Sequence, residues 1–210
     1  MPNYCNNTLL CYGTEETLNK FLSAICTSEH SDTTDPYDYQ ILHKLVPTPQ
    51  DLVDTVAGWS ADPVTQAEYQ RKFDENLAKY GHKDWYDWNL DNWGTKWADD
   101  ETHIAMRSEG FCGLRFQTPW CAPEAGIDKV SKLFPEIEFV LTYMEQGVGF
   151  VGATAYKDGT KAMSYSESIT MPNYDDENYD DLIDNIDEVY FEAMEQCETQ
   201  VMLEAGFKHG

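Results

Sequence analysis

The densest group of side chains that could do chemistry consists of Asp99, Asp100, Glu101 and His103. Carboxylate and imidazole groups this close together suit magnesium, manganese or zinc. Adjacent carboxylates point to opposite faces of a strand, however, and no second half of a site is visible in the sequence. A solvated loop with a surface histidine explains the same residues, so we expect no metal and no cofactor.

Sequence signatures of catalysis are absent elsewhere. The chain contains no GxSxG, P-loop or HExxH pattern. We therefore predict no catalytic residues and no enzymatic activity. A metal-dependent enzyme that uses Asp99, Glu101 and His103 stays open as a third hypothesis.

The C-terminal segment is acidic and periodic. Nearly half of the net charge of −24 lies after residue 170, where Lys208 is the one basic residue. Apolar residues at helical spacing place the carboxylates on the opposite side, which predicts one amphipathic helix of about 20 residues or more. Phe191 is irregular because it falls among the carboxylates. The predicted partner-binding residues are Asp181, Asp184, Asp187, Glu188, Phe191, Glu192, Glu195 and Glu198.

Two interpretations of this acidic face stay open. It is either the solvated side of a helix that packs on the domain or a surface for a basic partner. Carboxylates at i and i+4 repeat about every 5.4 Å, on the scale of phosphate spacing along a nucleic-acid strand. Like charges at this spacing oppose helix formation, so their presence needs an offsetting packing gain or a use.

The stretch DWYDWNLDNWGTKWADD, residues 84–100, is rich in tryptophan. Its glycine and its Asn-Asp pairs argue against one continuous helix. We interpret the tryptophans as anchors that hold this segment on the sheet or helices, with indole N–H groups bound to local acceptors. Lys96 is expected to form a cation–π contact with a flanking tryptophan. The predicted structural residues are Trp85, Trp88, Asn92, Trp93, Gly94, Thr95, Lys96 and Trp97.

Composition restricts the class of protein. The 210 residues are 41% hydrophobic, enough for one well-stocked core. With 38 acidic against 14 basic residues, direct binding of nucleic acid or of anionic membranes is not expected. We predict no membrane span and no secretory signal, and hence reduced cysteines in the cytoplasm of a host cell. A homo-oligomer stays open.

The elements that must position these residues occur in two similar blocks. Residues 3–12 predict a strand, Thr14 is placed to cap the helix that follows, and residues 39–46 predict a second strand. Pro63 is placed to start a helix over residues 63–80.

In the second block, GLRFQT predicts a strand, and Pro123 begins a helix with Leu133 and Phe134 inward. IEFVLTY predicts another strand, and residues 149–169 predict two strands joined by a Lys-Asp-Gly turn.

Two β-α-β blocks predict an α+β fold. The expected arrangement is a ferredoxin-like split β-α-β sandwich, with an antiparallel sheet and helices on one face. Residues 1–170 would form the domain, with a helical Trp-rich insertion at residues 51–100, approximately. The acidic segment 171–210 would pack on the same domain.

Several motifs resemble a known family. They are MPNYCNNTL, LVPTP, DNWGTKWA and the TAYKDG turn, and the hexapeptide from Asn92 to Trp97 is the most specific. Together they resemble the plasmid and bacteriophage family of YubB-type ferredoxin-like domain proteins. The resemblance implies a ferredoxin-like fold and a mobile-element origin, and it implies no chemistry for any residue. Many members lie in genomic regions rich in functions that counter host defences.

Our leading hypothesis is a phage or plasmid protein that binds and inhibits a host protein with a basic surface. The partner would be a defence or nucleic-acid-handling factor, and the carboxylate array would mimic nucleic acid. An alternative is a nucleic-acid or nucleotide-binding module that uses the open face of the sheet. That alternative needs a basic stripe formed by Lys44, Arg107, Arg115, Lys157 and Lys161.

Overall fold

The first strand and helix follow from the local sequence. β1 spans Tyr4–Tyr12 and α1 spans Glu15–Ile25. The Thr14 hydroxyl accepts a hydrogen bond from the Thr17 amide at 3.2 Å, which confirms the predicted cap. The structure, a computed structural model, describes residues 3–27, 39–173, 175 and 178–207, without the side chain of Leu182.

The segment that begins at Ile41 is helical, so the strand predicted for residues 39–46 is wrong. α2 spans Ile41–Leu45. The Asp99 carboxylate accepts the backbone N–H groups of Ile41 and Leu42, each at 2.8 Å. The first turn of a helix leaves these N–H groups without intrahelical partners, so a carboxylate from elsewhere in the chain favours helix over strand here.

Three further helices precede the second strand. α3 spans Gln50–Val53, α4 spans Pro63–Tyr80 and α5 spans Trp85–Trp93. α4 begins at its proline as predicted. α5 ends at Gly94, which has a φ of 84° and closes the helix in the left-handed region.

Four elements complete the second block: β2 Asp100–Ser108, β3 Phe111–Pro119, α6 Glu124–Leu133 and β4 Glu138–Glu145. β1 pairs antiparallel with β3 and with β4, and β2 pairs with β3. The strand order β2-β3-β1-β4, with α1 and α6 in the connections, is the ferredoxin-like arrangement. The predicted fold class is therefore confirmed.

A hairpin extends this sheet beyond β4. β5 spans Phe150–Lys157 and β6 spans Thr160–Ser168, which gives six strands in the order β2-β3-β1-β4-β5-β6. Asp158 and Gly159 in the connecting turn have φ values of 51° and 71°. Positive φ at both central positions is what a tight hairpin turn requires, and the predicted turn is confirmed.

One face of the sheet carries the larger hydrophobic cluster. α1, α2, α5 and α6 supply side chains that pack on alternate residues of β1, β3 and β4. Leu133 does not take part: it is 55% exposed, so the predicted inward position was wrong. Fully buried members of this cluster include Leu9, Leu18, Phe21, Ile25, Ile41, Leu42, Leu114, Ile127, Val130, Ile137, Phe139, Leu141 and Tyr156.

The C-terminal segment covers the part of the opposite face that is formed by β4, β5 and β6. This segment forms two helices, α7 Tyr179–Asp184 and α8 Ile186–Glu204, rather than the single helix predicted. They meet at Asn185, whose side-chain amide donates to the Asp181 carbonyl at 2.7 Å. The second cluster, which α8 closes, contains Leu10, Val140, Met144, Val151, Ala153, Ala155, Tyr190, Ala193, Cys197 and Val201.

Composition predicted reduced cysteines and no membrane span. All six cysteines lie in the described part of the chain, and none forms a disulfide. Across the described ranges, no helix combines the length and the apolar character needed to cross a membrane.

Candidate partner-binding surface

The acidic side of α8 is held outward by the opposite side of the same helix. Tyr190, Ala193, Cys197 and Val201 are buried against β4, β5 and β6. Their spacing of three or four residues turns one stripe of the helix inward. Val189, which fits the apolar periodicity of the sequence, is 45% exposed, so the buried stripe is narrower than the sequence indicates.

The predicted partner-binding residues occupy two helices. Asp181 and Asp184 belong to α7, and the others belong to α8. The residues that the structure brings together on the outer side of α8 are Glu188, Glu192 and Glu195, all exposed. Among the described residues, none of these three carboxylates forms an ion pair. They form a continuous negative surface, which we call the acidic surface.

Glu198 differs from these exposed carboxylates. Burial raises its pKa above the ordinary value, and the neighbouring Glu195 raises the pKa further. Burial also raises the pKa of Tyr12 to about 12, with a further contribution from Glu198. Glu198 therefore lies at the inner edge of the acidic surface, close to β1, where its charge opposes folding.

Phe191 lines a groove beside α8. The aromatic side chain is 56% exposed and, together with Met194, forms one wall of a groove of about 310 Å³. The floor of the groove is the half of the sheet that α8 leaves open. Arg115 is exposed on this floor and contributes a positive charge. The remaining lining residues are Asn6, Asn7, Thr8, Glu101, His103, Phe116, Gln117 and Met144.

This groove was missed at the sequence level. Asn6 and Thr8 alternate with buried residues along β1, and this alternation indicates a polar face on the strand. The sequence does not show which half of that face a helix covers.

The basic residues required by the nucleic-acid alternative do not converge. Lys161 pairs with Glu124 at 3.2 Å, and Arg107 pairs with Glu15 at 2.6 Å. Both partners belong to helices on the α1 and α6 face, whereas Arg115 lies in the groove on the α8 side. No basic stripe forms on the described part of the open sheet from Lys44, Arg107, Arg115, Lys157 and Lys161.

The candidate metal ligands have other roles. The Asp99 carboxylate is buried and accepts hydrogen bonds from Thr102 and from the start of α2. Asp100 accepts the Glu101 amide at 3.0 Å, and His103 Nδ1 lies 2.9 Å from the Glu101 carbonyl. In the part of the chain that is described, no three His, Cys, Asp or Glu side chains are grouped as metal ligands.

The tryptophan-rich motif is divided between interior and surface. Trp93 is 1% exposed, and its indole N–H donates to the Val46 carbonyl at 2.8 Å. Thr95 is fully buried and donates to the Pro119 carbonyl at 3.1 Å, which ties the motif to the end of β3. Trp88 packs edge-on against Trp93 with ring centroids 5.9 Å apart. The Trp93 bond joins α5 to the segment after α2, and the Thr95 bond joins the residues after α5 to the sheet.

Lys96 and its neighbours form the exposed part of the motif. The Lys96 ammonium lies 4.5 Å from the Trp97 ring centroid, 5.5 Å from Tyr86 and 5.7 Å from Trp120. Trp97 and Trp120 are 44% and 41% exposed. Trp120 adopts a φ of 63°, a left-handed conformation uncommon for a non-glycine residue. The contact between Trp120 and Lys96 was not predicted, because Trp120 lies far from the motif in sequence.

Glu124 is a second feature absent from the sequence predictions. Its carboxylate accepts hydrogen bonds from Thr154 at 2.5 Å and Tyr143 at 3.2 Å and pairs with Lys161. Burial acts to raise the pKa of Glu124, but the bond from Thr154 and the charge of Lys161 outweigh it, and the pKa is lowered. A carboxylate occupied by three donors is suited to holding α6 against β4, β5 and β6.

Comparison with known proteins agrees with the fold. Residues 92–185 match a family model described as a ferredoxin-like domain in Api92-like protein. The match begins at the first residue of the NWGTKW hexapeptide and extends through β6 and α7.

A protein of Escherichia coli (strain K12) named uncharacterized protein YubB is 31% identical over 75 residues. The alignment covers 35% of this chain and 52% of that protein, so the chain spans about half the length of this curated relative. The resemblance to YubB-type ferredoxin-like domain proteins is supported by these two matches. The crystal structure of a protein api92 from Yersinia pseudotuberculosis is 12% identical with a TM-score of 0.46, covering 82% of this chain and 100% of that chain.

Proposed function

We propose that the chain is a non-enzymatic protein of plasmid or bacteriophage origin that binds a host protein through the acidic surface of α8. The observation that carries the proposal is the arrangement of Glu188, Glu192 and Glu195, which are exposed along one side of one helix. Within the described residues these carboxylates have no cationic partner. Such a surface attracts a basic protein surface and repels acidic ones.

A basic cleft made for nucleic acid is the surface that this pattern fits best. Carboxylates on successive turns of α8 repeat about every 5.4 Å, on the scale of phosphates along a nucleic-acid strand. We therefore propose as partner a defence or nucleic-acid-handling protein of the host cytoplasm. Occupation of its cleft by α8 would exclude the nucleic acid and inhibit the partner.

Phe191 supplies the apolar component of this interface. Aromatic residues are enriched among the few side chains that dominate binding energy. Phe191 is 56% exposed next to the acidic surface, with the groove and Met194 beside it. A partner held by charge over the carboxylates would bury this ring against its own surface.

The proposal is tested by reversing charge on the acidic surface. Wild-type protein and the triple variant Glu188→Lys, Glu192→Lys, Glu195→Lys are immobilised and exposed to host lysate at low and at high salt. The wild type is expected to retain a basic protein at low salt and to release it at high salt, since exposed charges are screened over about 8 Å at 0.15 M. The triple variant is expected to retain none of it. The purified partner should then lose its nucleic acid when wild-type protein is added.

A matched control distinguishes the effect of the acidic surface on binding from the effect of the net charge. Glu68, Glu109 and Glu136 are exposed and lie outside α8, and their replacement by lysine changes the net charge by the same amount. This control variant should bind the partner nearly as well as wild type. Equal loss in both variants, or full binding by the α8 variant, would contradict the proposal.

A further inference from the structure

A second concave site lies on the side of the molecule formed by α4 and α5. A cleft of about 560 Å³ opens between the loop after α3 and the start of α5. Four of the side chains that line it are aromatic: Trp59, Phe73, Trp85 and Tyr86. Trp59 is 75% exposed, far more than the packing of a structural tryptophan would leave. The other lining residues are Ala57, Gly58, Lys83, Asp84 and Lys96.

The charges at this cleft differ from the acidic character of the chain. Lys83 is paired with Asp87 at 3.1 Å. The Asp84 carboxylate is buried and accepts the backbone amides of Tyr86 and Asp87 at the start of α5. Asp87 is thus paired with a lysine, and Asp84 is stabilised by the N-terminus of α5.

Lys96 is the remaining cation at the cleft. Among the described residues, no carboxylate lies within ion-pairing distance of Lys96. The Asn89 side-chain amide donates to the Lys96 backbone carbonyl at 2.9 Å, which fixes the backbone at this position. The ammonium is instead surrounded by the rings of Tyr86, Trp97 and Trp120.

We propose that this cleft binds a flat aromatic ring that carries an anionic group, a ligand of the nucleoside monophosphate class. The exposed ring of Trp59 and the neighbouring aromatic walls stack on the base. Lys96 pairs with the phosphate through a charge-assisted hydrogen bond. We expect the site to bind a mononucleotide rather than a polynucleotide, because a net charge of −24 repels a long polyanion. A single phosphate interacts mainly with charges within about 8 Å at physiological salt, since more distant charges are screened.

Isothermal titration calorimetry with three probes tests the ligand class. Adenosine monophosphate carries both the ring and the anion, adenosine lacks the anion, and inorganic phosphate lacks the ring. Adenosine monophosphate is expected to bind saturably at sub-millimolar to millimolar concentration, about tenfold more tightly than adenosine. Inorganic phosphate is expected to give no saturable heat. Absence of saturable binding by adenosine monophosphate up to several millimolar would overturn the proposal.

Two variants assign the binding to the cleft. Lys96→Gln should lower the affinity for adenosine monophosphate to about that for adenosine, and it should leave adenosine binding unchanged. Trp59→Ala should weaken both ligands, because the ring stacks on the base in either case. Lys20→Gln removes the same charge from the exposed surface of α1 and should bind like wild type. If Lys96→Gln melts like wild type and still binds adenosine monophosphate with wild-type affinity, the assignment is wrong.

Discussion

The carboxylate of Asp99 accepts the backbone N–H of Ile41 at 2.8 Å across 58 residues of sequence. A second bond from the same carboxylate reaches the Leu42 amide, and Thr102 donates to it as well. One buried side chain just before β2 therefore fixes the start of α2. The segment between α1 and β2 is attached to the ferredoxin-like sheet at this point and again through the bond from Thr95 to the Pro119 carbonyl of β3.

Replacing Asp99 should destabilise the fold. Asp99→Ala leaves the amides of Ile41 and Leu42 buried without an acceptor, and we expect a loss of about 2 to 4 kcal/mol in the free energy of unfolding. Urea denaturation followed by circular dichroism measures it. Asp100→Ala, at the exposed neighbouring position, should cost less than about 1 kcal/mol. Equal losses in the two variants would show that the capping bonds carry no stability.

Replacing the two tryptophans of the NWGTKW motif should reduce stability by different amounts, because one is buried and the other is exposed. Trp93→Ala removes a fully packed indole and its bond to Val46, and should cost about 3 to 5 kcal/mol. Trp97 is 44% exposed, and Trp97→Ala should cost no more than about 1 kcal/mol. Thermal unfolding of the two variants compares them directly. A larger loss for Trp97→Ala would contradict the structural role assigned to Trp93.

Glu124 should stabilise the protein only while it is ionised. Its folded-state pKa is depressed below the ordinary 4.5 by Thr154 and Lys161, which outweigh burial. Its contribution is therefore complete above about pH 4.5 and is lost as the pH falls through the folded pKa. Glu124→Gln should be about 1 to 2 kcal/mol less stable than wild type at pH 7. In a series of urea titrations the difference should shrink as the pH falls below about 4.5, and a constant difference would contradict the assignment.

Glu198 should behave in the opposite way. Burial and Glu195 raise its folded-state pKa above the ordinary 4.5, so its ionisation opposes folding at neutral pH. Glu198→Gln is expected to stabilise the protein at pH 7 by up to about 1 kcal/mol. The gain should disappear as the pH falls through the raised pKa towards the ordinary value, because wild-type Glu198 is then protonated. A gain that stays the same at low pH would point to packing rather than charge.

The sequence predicts the elements whose pattern is local. Apolar residues at helical spacing and the Thr14 cap define α1, and the Lys-Asp-Gly turn defines the β5–β6 hairpin. These features depend on backbone conformation and on periodic burial, both of which are readable within ten residues or so. The ferredoxin-like topology was predicted from two β-α-β blocks, although the first block took residues 39–46 as its second strand in place of β2.

The elements that were missed depend on distant contacts. The sequence predicted a strand at Ile41 and Leu42 because both residues are apolar and adjacent. The backbone N–H groups of both residues donate to the distant Asp99 carboxylate, which favours a helix. β2 is an edge strand with exposure on both faces, so it shows no alternation of hydrophobicity. In the candidate sites, folding of the sheet places Arg115 in the same groove as Phe191 and brings Trp120 next to Lys96.

The sheet separates the interior into two compartments with few shared side chains. Leu9 and Leu10 are neighbours in sequence, yet they face different hydrophobic clusters, and the same is true of Val140 and Leu141. A substitution that disturbs the packing of one cluster therefore leaves the other cluster packed, and the energetic effects of distant substitutions in the two clusters should be additive. Evolution can consequently vary the α8 side without disturbing the packing of α1 and α6.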